Sequence, residues 1–251
     1  MAGLGALACP AMATPLAATP IARLDLPAWR ARFEQKQSEI REGRFELVYY
    51  GDSITQNFEH AGTLPQADWP SVWQRFYGDR HALNLGFKGD TTASLLWRIE
   101  HGEGAVRGLH GDPKAAVVLI GANNLGRLHW SAEDTLAGIA ADITSIHQHL
   151  PRTRVLLVSV LPSDRSDWVT RTTRQINDGL ARAYAAGEDS LVTFVDVSQV
   201  LMRDGRTDRA LFIDPLLTPP DPPLHPNVEG ATRVAMAIEP VLAGLLGDRR
   251  H

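Results

Sequence analysis

Apolar residues in this 251-residue chain gather into five short runs, each ending abruptly at polar or glycine positions. The runs end at Tyr50, Leu85, Ile120, Val160 and Val197. AAVVLIG (115–121) and RVLLVSVLP (154–162) are almost continuously Val, Leu, Ile and Ala, the pattern of strands covered on both faces. The segments between them switch to helical spacing. From Ala132 to Leu150, residues Leu136, Ile139, Ala140, Ile143 and Ile146 fall on one stripe, and Ser131 with Asp134 forms a capping box ahead of it. Val169, Ile176, Leu180 and Tyr184 mark a second helix over 168–186, and Val228, Ala231, Val234, Ile238 and Leu242 mark a last one after Pro226. Pro240 should kink that helix or break it in two. PLLTPPDPPLHP (215–226) reads as a rigid irregular loop, because proline fixes φ and donates no hydrogen bond. Strand and helix alternate, which predicts an α/β fold on a mostly parallel sheet.

Composition narrows the function more than the fold. A formal net charge of −4 without any Lys/Arg-rich run argues against a nucleic-acid partner. The single cysteine, Cys9, excludes an internal disulfide framework and a cysteine-based metal site. No apolar run reaches 18 residues, so no membrane span is expected. Residues 1–22 read as a separate signal-like or flexible segment, and 23–251 as a single domain. The first twenty residues are small, apolar and uncharged, with Ala11-Met12-Ala13 as an A-x-A cleavage candidate, although the usual basic leader is missing. The expectation is a periplasmic or secreted protein, with a cytoplasmic one as the alternative. Gly3-Leu4-Gly5-Ala6-Leu7-Ala8 matches a loose dinucleotide fingerprint, but no strand precedes it and it is set aside.

The chemistry lies where the strands end. FELVYYGDSIT (45–55) places Ser53 at the rim of the first strand, where open α/β sheets bind ligands. A serine there is a candidate nucleophile if a base and an oxyanion donor reach it. The second strand runs into Asn84-Leu85-Gly86-Phe87-Lys88-Gly89-Asp90-Thr91-Thr92, the third into Gly121-Ala122-Asn123-Asn124. A fourth loop carries Asp221-Pro222-Pro223-Leu224-His225-Pro226-Asn227, in which prolines brace His225 on both sides. Most other histidines sit in polar loops or on helix faces. The chain lacks G-x-S-x-G, a phosphate-cradling glycine loop and H-E-x-x-H.

In order and spacing, these four segments resemble the blocks of the SGNH (GDSL-type) hydrolases over roughly residues 40–245. HALNLGFKGDTTASLLWRIEHGE (81–103) and PKAAVVLIGANN (113–124) are most similar to the catalytic alpha subunits of platelet-activating-factor acetylhydrolase. The resemblance implies a flavodoxin-like three-layer α/β/α sandwich with a five-stranded sheet. It implies Ser53 as nucleophile and His225 as base, with an oxyanion hole made by the Ser53 and Gly89 backbone N–H groups and the Asn123 side chain. It implies no cofactor and no metal, and subunits that pair as a homodimer.

Two positions depart from the pattern. The family places an aspartate three residues before its histidine. Here that position is Pro222, so Asp221, four before, is taken as the acid. Asp214 is the reserve, and a Ser–His dyad oriented by a carbonyl is the other arrangement. Lys88 stands where the acetylhydrolase-like pattern has glycine; it either projects into solvent or favours an anionic substrate. Asp52 and Asp90 read as acceptors for backbone N–H groups that fix their loops. The expected activity is a serine esterase removing a small acyl group, acetyl above all, from a small-molecule or saccharide ester, an acylated exopolysaccharide included. The alternatives are a lysophospholipase or thioesterase for longer chains, and a non-catalytic binding protein on the same fold. The loops around Trp69, Arg127 to Trp130 and Arg165 to Trp168 would decide the substrate.

Overall fold

Five strands lie side by side in the order β2-β1-β3-β4-β5, all parallel. They are β1 (Leu47–Gly51), β2 (Ala82–Gly86), β3 (Ala115–Leu119), β4 (Arg154–Val158) and β5 (Val192–Val195). The structure, a computed structural model, describes residues 13–185 and 191–248. Cys9, the Gly3–Ala8 stretch and most of the A-x-A candidate lie outside these residues. The order places β1 between β2 and β3, so the chain passes first to one side of it and then to the other. That reversal point is where such sheets bind ligands.

The two-residue period of the strands builds the layers. Val48, Tyr50, Leu83, Leu85, Val118 and Leu157 face one core, and Leu47, Tyr49, Val117, Leu156 and Val158 face the other. Over the first face pack α4 (Thr92–Glu100), α6 (Ala132–His149) and α7 (Asp167–Ala183). The second is covered by α3 (Trp69–Tyr77) and α8 (Val228–Leu246). The helix α1 (Pro27–Glu42) adds Trp29 and Phe33 to a smaller aromatic cluster with Phe87 and Trp97. The short helices α2 (Ser53–Gln56) and α5 (Ala122–Gly126) follow β1 and β3 directly. Two-residue strands β6 (Met202–Arg203) and β7 (Arg206–Thr207) form a separate antiparallel hairpin.

Ser131 caps α6 as expected, its hydroxyl accepting from the Asp134 N–H at 3.0 Å. Two expectations change. Helix α8 runs unbroken through Pro240. The ring forces away only the carbonyl of Met236 four residues before, and Met236 is exposed, so water can satisfy that group. The folded unit also starts before residue 23. Ala17 is buried, its carbonyl accepts from the Thr92 hydroxyl at 2.7 Å, and the Ile21 N–H donates to Ala93 O at 2.9 Å. No helix among the described residues is long and apolar enough to cross a membrane.

Asp142, on the buried side of α6, has neither carboxylate oxygen in a hydrogen bond. Desolvation pushes its pKa well above the carboxylate range, more strongly than nearby Arg98 draws it down. Between the unfolded value and the raised folded one, the folded chain binds the extra proton, so this group loses stability as pH rises. Asp142→Asn removes the slope, worth at most about 1.4 kcal/mol per pH unit. The expected result is a melting-temperature gain over wild type that grows from pH 4 to pH 8; a pH-independent difference would contradict it.

Candidate active site

β1 ends at Gly51 and the chain turns within two residues into α2, so Ser53 is the first helical residue. Asp52 caps this turn, its Oδ1 accepting from the Ile54 N–H at 2.9 Å. Asn84 of β2 holds the same turn from beside it, donating to Thr55 O at 2.7 Å while accepting from the Gly86 N–H at 2.9 Å. A side chain at Gly86 would stand 2.3 Å from the Gln56 backbone nitrogen. Glycine there lets α2 lie directly on the end of β2.

Ser53 Oγ lies 2.9 Å from His225 Nε2, although the two are 172 residues apart. The loop before α8 brings the histidine in. Ile213 N–H donates to His225 O at 2.9 Å, Asn227 N–H to Leu211 O at 2.9 Å, and Trp69 Nε1–H to Pro226 O at 2.8 Å. Trp69, named above with a substrate-deciding loop, is therefore a buried brace of this one.

The acid behind the histidine is Asp214, not Asp221. Asp214 Oδ1 meets His225 Nδ1 at 2.7 Å, and Oδ2 accepts from the backbone N–H of His225 at 2.6 Å and of Leu224 at 2.8 Å. Asp221 is exposed on the loop, and its backbone N–H donates to Asp214 O at 3.0 Å. Prolines at 222, 223 and 226 have no N–H, so Leu224 and His225 supply the donors that anchor a carboxylate here. Burial would raise the Asp214 pKa. The His225 ring, hydrogen-bonded and charged when protonated, acts with the two backbone N–H groups to hold it below its usual range instead.

Asn123 sits on α5, beyond the end of β3. Its Nδ2 donates to Asp90 O at 2.9 Å and to Asp52 Oδ2 at 3.2 Å. Asp52 thus fixes both its own turn and the asparagine. Burial pushes its pKa up to about 6, against the pull of the Ile54 N–H and the His225 and Arg165 charges. Among the described residues, the Ser53 and Gly89 backbone N–H groups have no acceptor. Gly89 has φ +79°, a conformation that favours glycine.

Asp90 departs from the reading as a backbone anchor. Its carboxylate accepts from three side chains: Arg23 and Trp29 at 2.7 Å, and Arg98 at 2.8 Å. Arg98 is fully buried, also pairs with Glu103, and lies 4.0 Å from the centre of the Phe87 ring. This network fixes the Asp90 carbonyl against Asn123. In the sequence Asp90, Arg98 and Glu103 are ordinary charges with nothing to mark them as partners. Arg165, at the start of one of the loops read as deciding the substrate, donates to Ala122 O at 3.0 Å and ties down the turn that carries Asn123.

Comparison with known proteins bears on the fold and the family. Platelet-activating factor acetylhydrolase IB subunit alpha1 from Homo sapiens is 31% identical over 160 residues, 63% of this chain and 62% of that protein. The chain thus spans less than two thirds of the length of this relative. A GDSL-like lipase from Bacteroides thetaiotaomicron superposes with a TM-score of 0.61 at 18% identity, covering 85% of this chain and 97% of that one. A carbohydrate esterase family 3 protein from Talaromyces cellulolyticus gives 0.59 at 17% identity, over 82% and 100%. These two likenesses establish the shared fold. The profile of the GDSL-like Lipase/Acylhydrolase family matches residues 49–233, most of the chain and all four loops, and the chain belongs to that family.

Proposed function

We propose that this protein is a serine esterase that removes small acyl groups, acetyl above all, through a covalent acyl-enzyme. The observation that carries it is the unbroken relay from Ser53 Oγ through His225 to Asp214, at 2.9 and 2.7 Å. With its Nδ1 proton directed at Asp214, the imidazole presents the Nε2 lone pair to the serine hydroxyl. Ser53 Oγ attacks the ester carbonyl as its proton passes to Nε2, and the Asp214 carboxylate stabilises the imidazolium. Negative charge gathers on the former carbonyl oxygen, where the Ser53 and Gly89 N–H groups and the Asn123 amide would receive it. Collapse expels the alcohol, which takes the proton from His225. Water then repeats the sequence to release the acid and restore Ser53.

The names of the relatives support a short acyl group, one being an acetylhydrolase and another a carbohydrate esterase.

A fluorophosphonate probe should label the wild type and leave Ser53→Ala unlabelled, and p-nitrophenyl acetate should be cleaved with higher kcat/KM than esters of eight carbons or more. Preference for the long chains would replace the acetyl reading with a lysophospholipase-like one. An unlabelled wild type would indicate a binding protein on this fold.

A further inference from the structure

The open surface beside Gly89 carries several cations and, in its lining, no acid. Two adjoining clefts, of about 670 and 200 Å³, share Arg23 and Arg127; the larger adds Arg32 and Lys88, and neither is lined by any Asp or Glu. This happens on a chain whose net charge is −4. Arg32 is neutralised by Glu59 at 2.7 Å, and Arg23 spends Nη1 on Asp90 and on Lys88 O. The side chains of Arg127 and Lys88, both exposed, meet no carboxylate or other hydrogen-bonding side chain among the described residues.

The cations are aimed at one point. A side-chain carbon placed on Gly89 would stand 2.4 Å from Arg127 Nη1 and 3.1 Å from Arg23 Nη2. Two guanidinium groups therefore lie against the open side of the glycine whose N–H the esterase reading assigns to the oxyanion, and Lys88 is its chain neighbour. Asp90 offsets the Arg23 charge, but those of Arg127 and Lys88 have no counter-charge, and an anion seated against them gains charge-assisted hydrogen bonds. Arginine adds a fork suited to carboxylate and phosphate oxygens.

We infer that Arg127, Lys88 and Arg23 form an anion subsite at the mouth of the catalytic site, which selects acetyl esters of alcohols bearing a carboxylate or a phosphate. The inference rests on the esterase reading above and adds a substrate class to it. Lys88 then contributes charge that a glycine at that position could not.

The test compares matched esters: an acetylated methyl hexoside against the corresponding uronate, and glycerol monoacetate against its phosphate-bearing counterpart. In the wild type, kcat/KM for the anionic member should exceed that for the neutral one by about tenfold or more, the scale of one charge-assisted contact. The ratio should fall as salt is raised and collapse towards one in Arg127→Gln combined with Lys88→Gln, while Arg127→Lys retains part of it. Reading the ratio within each variant cancels any general loss of activity. The two pairs show whether carboxylate or phosphate is the better fit. Ready hydrolysis of p-nitrophenyl acetate with an anionic-to-neutral ratio near one, or a ratio that survives the double substitution, overturns the subsite alone. Failure to cleave even p-nitrophenyl acetate overturns the esterase reading and the subsite with it.

Discussion

Asp214→Asn is expected to lower kcat for ester hydrolysis by about 10⁴, the scale seen when a triad acid loses its charge and its hold on the imidazole tautomer. Asp221→Asn, four residues before His225, should stay within a few-fold of wild type. The contrast follows from contacts already present: the Asp214 carboxylate binds the ring at 2.7 Å and two backbone N–H groups besides, whereas Asp221 meets this assembly only through its own backbone. Asparagine at 214 can still accept from the backbone, but its amide can donate to Nδ1 and so favour the tautomer that places a proton on Nε2, where the serine proton must go. The same substitution carries a stability signature. Because the folded Asp214 pKa lies below its unfolded value near 3.8, the charge contributes stability above that value and loses it as pH falls further. Asp214→Asn should therefore be less stable than wild type at pH 7, with the gap closing under strong acid. Steady-state kinetics and thermal melts on both variants decide the matter; a large kinetic loss in Asp221→Asn with Asp214→Asn near wild type would reverse the assignment.

Which parts of this site could be read from sequence depends on how local their causes are. Strand ends, short helices and the serine turn are set by neighbours along the chain, and 45–55 already contains the apolar run, the glycine and the cap that place Ser53. His225 and Asn123 could be found because each sits just beyond a recognisable boundary. The acid could not. Counting back from the histidine led to Asp221, yet the Pro-rich loop doubles back so that its two ends meet, and Asp214 at the far end reaches His225 across eleven residues. Only the missing N–H groups of Pro222 and Pro223 hinted that the anchoring carboxylate must use Leu224 and His225. The Arg98–Asp90–Glu103 network has the same character: its members look like ordinary charges on a helix and its flanks until the fold buries them together. Pro240 is the opposite case: the helix is not broken in two there, because an exposed turn of helix can give its carbonyl to water.

Asn123→Ala should lower kcat by about 10²–10³ with KM little changed, the mark of a donor used mainly in the transition state. The neighbouring Asn124 provides the contrast. Its side chain accepts from the Thr92 N–H at 3.1 Å and donates to the Thr92 hydroxyl at 2.8 Å, so Asn124→Ala should lower the melting temperature and change kcat only a few-fold. In the resting protein both Asn123 amide protons are engaged, at 2.9 Å with the Asp90 carbonyl and at 3.2 Å with Asp52. To serve an oxyanion the amide must exchange one of them, and the longer contact is the weaker. The Asp90 carbonyl is held by the buried network around Arg98, so it keeps the amide in place while the other proton turns to the substrate. Asp52, its pKa pushed up to about 6, is neutral in a growing fraction of molecules as pH falls below that value and then accepts less strongly. The asparagine is thus firmly positioned by one partner and lightly restrained by the other, which suits a donor that must be in place before charge develops and available when it does. If Asn123→Ala instead lost stability alone, with kcat preserved, this amide would be a brace for the Asp90 loop and the oxyanion would rest on the two backbone N–H groups.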